Sequence, residues 1–187
     1  FGNMLSMAAL SLAVPFLPLL PKQILLNNFL SDLPAMAIAG DRVDTEMVDQ
    51  PRRWQVARIR NFMLVFGLIS SAFDALTFAL LLLALHAAPE EFRTAWFVES
   101  LLTELAILLV VRTHRPLLAS RPSAGVLWTT IAVAAAALVL PYLPVVAATF
   151  GFVPLPPFLM ATLLAITLGY VLANELAKRH FQRRFGL

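Results

Sequence analysis

The chain has no cysteine, which excludes a disulfide framework and the thiolate ligands that copper or zinc transport would want. Its three histidines, His86, His114 and His180, fall at the ends of apolar runs or between them without an H-x-x-x-H spacing, so they imply no zinc site and no Ser/His/Asp arrangement. Seven glycines occur without a Walker pattern, which leaves no phosphate loop. The chain by itself therefore offers no catalytic residue, no cofactor-binding motif and no machinery for hydrolysis. Charge is also scarce, at 13% of residues, far below the usual globular share.

Apolar surface takes the place of charge. Hydrophobic residues make up 60% of the chain and the mean hydropathy is +0.81, which excludes an ordinary soluble domain and predicts a lipid bilayer as the main partner. The pI of about 10 does not call for nucleic acid, because the cations lie between apolar runs, where membrane orientation accounts for them. Alternating segments of about ten residues are absent, which excludes a β-barrel. The sequence opens on Phe1 inside an apolar run with no basic stretch before it, so it reads as a fragment and not as a signal peptide or natural start.

The fold expected is all-α, a polytopic membrane bundle forming one transmembrane domain over 1–187. Six spans are expected at about 4–20, 23–40, 62–87, 96–111, 124–140 and 158–177, each near the roughly 17–25 residues that a tilted helix needs. Pro15, Pro18 and Pro21 predict a tight turn between the first two. The segment 41–61 holds Arg42, Arg52, Arg53, Arg58 and Arg60 and is expected on the cytoplasmic side. AAPEEFRTA at 87–95 reads as a short outer turn, RTHRPLLASRPS at 112–123 as a second inner loop, and the uncharged 141–157 as an outer connection. Of the fourteen Lys and Arg, only Lys22 and Arg93 then lie outside, which places both termini in the cytoplasm.

The stretch QILLNNFLSDLPAMAIAGDRVD, 23–44, carries Asn28, Ser31 and Asp32 within a span. A carboxylate near a bilayer centre costs about 2.5–3.5 kcal/mol on insertion scales, so Asp32 reads as a functional group by default. Positions i, i+3 and i+4 put the three oxygen-bearing side chains on one helical face. Pro34 leaves the Leu30 carbonyl without its helical donor and is expected to break the helix. Converging side-chain and main-chain oxygens suit a hard cation. Glu104, eight residues inside Arg112, has either a site role or a structural hydrogen bond to a neighbouring helix. Asp74, near Ser70 and Ser71, is open to the same two readings. Glu99 reads as a cavity-lining or structural acid, Asn3 as ligand or interhelical glue, and Glu175 with Lys178 and Arg179 as a surface helix pair.

N-F-L-S-D-L-P-A at 28–35 with D-x-V-D at 41–44 resembles the sixth transmembrane helix of P-type cation ATPases, and F-G-N at 1–3 resembles the start of their fifth. PRRW at 51–54, RNFMLVFGLISSAFDALTF at 60–78, WFVES at 96–100, VRTHRP at 111–116 and FGFVPLPP at 150–157 are similar to the magnesium-translocating branch. The resemblance assigns the six spans to helices five through ten of a ten-helix pump of the plasma (inner) membrane. It implies metal ligation by Asn28, Ser31, Asp32, Asn3 and Glu104, with Mg²⁺ as the transported ion. Asn3 stands where calcium pumps of the wider family place an acid, which suits an ion that keeps several waters. ATP chemistry would belong to upstream domains of the same polypeptide, together with helices one to four. The other reading of the same intramembrane acids is a self-contained six-helix cation channel or secondary carrier.

Overall fold

The computed structural model describes residues 2–41, 56–113 and 115–185. The arginine-rich stretch 42–55, including PRRW, lies outside the described residues, as do Phe1 and His114. Seven α-helices and no strand occur among the described residues: α1 (Gly2–Ser11), α2 (Pro21–Ala37), α3 (Val56–Ala79), α4 (Pro89–Val111), α5 (Ala124–Val139), α6 (Pro144–Phe150) and α7 (Pro157–Phe185). Among the described residues, four stretches are long and apolar enough to cross a membrane: Ile59–Ala84, Pro89–Val111, Ala124–Tyr142 and Pro157–Arg183.

The remaining two expected spans differ in extent. Helix α1 stops at Ser11, and residues 12–20 turn irregularly through Pro15 and Pro18. Proline withholds the N–H that would continue the ladder and drives its predecessor out of the helical region, so the turn claims part of the expected first span. At about 1.5 Å per residue, the 10 residues of α1 cover about half of a 30 Å hydrocarbon core. Helix α2 has 17 residues and runs unbroken through Pro34, tightening to a 3₁₀ turn at Ile38–Gly40. The expected break at Pro34 is thus not found. Pro34 is buried, and packing of α2 on α4 and α5 holds the helix across the missing hydrogen bond.

Helix α4 is the axis of the bundle. Its apolar window is 72% buried, against 22–33% for the other three candidate spans, and it packs on α2, α3, α5 and most extensively α7. It begins at Pro89, earlier than the interface expected at Trp96, because Pro89 enters at the first helical turn with Glu90 and Glu91 beside it. Proline there gives up no hydrogen bond, and acids there oppose the positive end of the helix dipole. Phe92, Trp96 and Phe97 are fully enclosed. Phe92 meets Phe16 and Phe78 at centroid distances of 5.5 Å each, Trp96 meets Phe78 at 4.8 Å edge-on, and Phe97 meets Phe152 at 4.6 Å. Such pairs add about 0.5–1.5 kcal/mol each beyond area burial.

Where no aromatic intervenes, helices approach through small residues. A Cβ placed on Gly2 would lie 2.5 Å from Ser70 Cβ and 3.1 Å from the Gly67 carbonyl, so α1 and α3 are in backbone contact, the usual solution for helices in lipid.

Each end of the bundle is fastened by polar groups. At one end Asp41 accepts from Arg112 Nη1 at 3.0 Å and from the Ser123 N–H at 2.7 Å, joining the exit of α2 to the end of α4 and the start of α5. Lys178 is buried. Its ammonium donates to the Val110 and Arg115 carbonyls at 3.0 and 2.8 Å and pairs with Glu175 at 3.0 Å. The spacing expectation of a Glu175–Lys178 pair holds, but its setting is not a surface: the lysine caps the carbonyl end of α4. At the opposite end, Lys22 Nζ and Gln23 Nε2 donate to the Thr149 and Phe150 carbonyls at 2.5 and 3.1 Å. These close α6, whose final turn is completed by Gly151 at φ 74°, a left-handed position that glycine takes without strain.

Candidate functional site

The polar residues of α1, α2 and α4 converge beside a cavity of about 380 Å³. Asn3, near the start of α1, donates both amide hydrogens to α4, to Ser100 Oγ at 2.7 Å and Glu104 Oε1 at 2.6 Å. Its own Oδ1 accepts from Ser70 Oγ at 3.4 Å. Asn27 on α2 donates to Glu104 Oε2 at 3.1 Å. One carboxyl group is thereby held by amides from two other helices. Among the described residues no cation pairs with it.

Sequence spacing singled out Asn28, but the residue that α2 turns toward Glu104 is Asn27. Asn27 is 5% exposed and its Oδ1 has no hydrogen-bond partner. Asn27 and Ser31 are at i and i+4, and the Ser31 hydroxyl lies within reach of the Glu104 carboxyl while also standing 3.2 Å from the Asn28 carbonyl. Asn28 and Asp32 form the neighbouring i, i+4 pair and are exposed. Asn28 lines the cavity together with Asn3, Asn27, Ser100, Glu104 and Tyr170. Asp32 does not touch it. Helix α2 therefore carries two adjacent polar stripes, one turned into the bundle and one outward. The signal for Asn27 was available in the doubled Asn of LLNNFLSD; what was missing was the direction of α4.

Asp74 and Glu99 fall outside this cluster. Asp74, on α3, accepts from Ser6 Oγ at 2.5 Å and from Trp96 Nε1 at 3.1 Å, a structural use of the acid that joins α1, α3 and α4. Among the described residues no three His, Asp or Glu side chains gather as a ready metal cage. The oxygens brought together are instead a carboxylate, amides and hydroxyls, a hard-donor set suited to a cation that retains water.

Hard oxygen donors thus meet at the crossing of α1, α2 and α4 in an all-helical, multi-pass membrane domain. Residues 16–180 match the family described as Cation transporting ATPase, C-terminus, and the chain belongs to it. The full chain is 38% identical over 191 residues to "Magnesium-transporting ATPase, P-type 1" of Salmonella typhimurium strain 14028s and to that of Escherichia coli strain K12. A relative of the same description in Salmonella typhimurium strain LT2 is 36% identical over 195 residues. All of the chain is covered in each case, but it spans 21% of the relatives' length.

Proposed function

We propose that this chain is the C-terminal membrane domain of a P-type ATPase that imports Mg²⁺ across the plasma membrane, and that it supplies part of the intramembrane cation site. Six crossings with both termini in the cytoplasm complete the reading. Upstream domains of the same polypeptide carry out phosphorylation and nucleotide binding, and their movements change access to the site. The magnesium assignment is supported by the printed description of the relatives.

The observation that carries the site is the division of α2. Its inward stripe, Asn27 and Ser31, is engaged with Glu104, whereas Asn28 and Asp32 are exposed. An exposed carboxylate at membrane depth has no stable place against lipid. Facing the preceding helices of the transporter, Asp32 with Asn28 completes a site whose other wall is Glu104 and Asn3. Mg²⁺ dehydrates reluctantly, so a site with few carboxylates, neutral amides and room for water matches its chemistry.

In the intact transporter, Asp32→Asn keeps the size of the side chain and removes its charge. Losing one charge-assisted contact to a partly dehydrated dication is worth about 3 kcal/mol, and thus about a hundredfold in uptake. Growth of a magnesium-uptake-deficient host at low Mg²⁺ is expected to fail while the protein still reaches the membrane. Glu90→Gln is the matched control, because Glu90 is 56% exposed and only 3.8 Å from Arg93. Full uptake by Asp32→Asn would remove this residue from the site.

A further inference from the structure

The carboxyl group that the Glu104 cluster leaves unused is that of Glu99. It is 0% exposed, and neither oxygen meets an N–H or a neutral O–H donor. This enclosure is made by the helices of this chain, so no group from outside reaches Glu99 without repacking the core. What faces it is Asp74, 1% exposed. Trp96, which stands three residues before Glu99 on the same face of α4, donates to Asp74 Oδ1 at 3.1 Å, and the Glu99 carboxyl meets the same Asp74 side chain. Both Asp74 oxygens already accept, Oδ2 from Ser6 and Oδ1 from Trp96.

Among the described residues no cation is found facing the pair. The other titratable groups facing the pair are Glu104 on the same helix and Tyr170 on α7, neither of them a cation, while α1 presents only the Ser6 hydroxyl. Arg93, Arg112, Lys178 and Arg179 are paired with other acids. Two ionised carboxylates in contact inside an apolar enclosure would repel one another and lack solvation. A hydrogen between them removes both difficulties, because an O–H on one acid becomes the donor that the other accepts.

We propose that Asp74 and Glu99 form a binding site for a single proton, with the Glu99 O–H donating to the Asp74 carboxylate, separate from the amide-lined cluster at Glu104. Asp74 is the acceptor because both of its oxygens already accept from Ser6 and Trp96, whereas Glu99 has no such donor. A metal ion is the poorer occupant: it would need further oxygen ligands in a place that offers an indole N–H, a hydroxyl and aromatic carbon. The bound proton fastens α3 to α4, and through Ser6 it also fastens α1, the helix that carries Asn3. Removing it places two like charges at the contact between these helices.

The test is infrared spectroscopy of the intact transporter carrying this segment, purified at neutral pH and exchanged into D₂O. The parent protein is expected to show a deuterium-sensitive C=O stretch of a buried carboxylic acid. Glu99→Gln, whose amide N–H replaces the O–H donor, should fold with an unchanged thermal midpoint and lose that band. Asp74→Asn should keep the band at a shifted frequency, since the acceptor has become a neutral amide. A band unmoved in both variants, or absent from the parent, would overturn the proposal. So would disappearance of the parent band on adding MgCl₂ to the folded protein, which would put a metal at the pair. Should Glu99→Gln fail to fold, the Asp74→Asn spectrum decides alone, and an unshifted band there counts against the site.

Discussion

Glu104 and Asp32 are both carboxylates on apolar helices, yet the bundle treats them in opposite ways. Glu104 lies where α1, α2 and α4 cross and is held by Asn3 and Asn27 at 2.6 and 3.1 Å. Asp32 is exposed on the outward stripe of α2. An acid satisfied within its own bundle contributes to the stability of that bundle, whereas an exposed acid at membrane depth contributes nothing until another element meets it. The difference separates two kinds of polar group that composition alone renders alike: one is held between helices, and the other is exposed on the bundle.

The comparison breaks most directly at Glu104. Glu104→Ala leaves the Asn3 and Asn27 amides without their shared acceptor, and unsatisfied buried donors cost about 1–3 kcal/mol each. A clearly lowered unfolding midpoint of the detergent-solubilised intact transporter is expected, whereas Asp32→Ala should leave that midpoint nearly unchanged while abolishing uptake. Equal destabilisation by the two would erase the distinction. The two asparagines of α2 sharpen it further. Asn27→Ala removes an interhelical hydrogen bond, worth about 0.6 kcal/mol on average and up to about 1.7 in membrane proteins, so it should lower stability measurably. Asn28→Ala, on the exposed stripe, should fall within the error of the same assay and reduce Mg²⁺ uptake instead.

The smallest effects concern the frame. Glu90→Gln removes the exposed member of a pair 3.8 Å apart and should change stability by less than about 0.5 kcal/mol. Orientation is testable at the same place, because the sequence holds no native cysteine. A cysteine at Glu90 should react with a membrane-impermeant thiol reagent in intact cells, and one at the exposed Arg121 should be protected. The reverse pattern would turn the domain over and place the Asn28–Asp32 stripe on the wrong side of the proposed transport path.

Much of the architecture was legible in the residues alone. Long apolar runs between proline-rich or basic segments specify helices and their order, since a backbone in lipid must satisfy its own hydrogen bonds and few structures do so. The exceptions are local. The helix start at Pro89 could have been read from Pro-Glu-Glu, but the survival of α2 across Pro34 could not, because it depends on what packs around a buried proline. The candidate site divides along the same line. That Asn, Ser, Asp and Glu side chains within apolar helices needed an explanation followed from the cost of placing them there. Which of them meet was decided by the rotation of each helix about its axis. Adjacent residues on a helix differ in direction by about 100°, so a rotation of that size exchanges Asn27 for Asn28 as the partner of Glu104. Periodicity in one helix is blind to that rotation. Close contact of α1 with α3 at Gly2, and the aromatic packing that encloses α4, set it, and both are properties of residues far apart in sequence. The same tertiary choice put Glu99 against Asp74, two acids twenty-five positions apart whose proximity no local pattern could reveal.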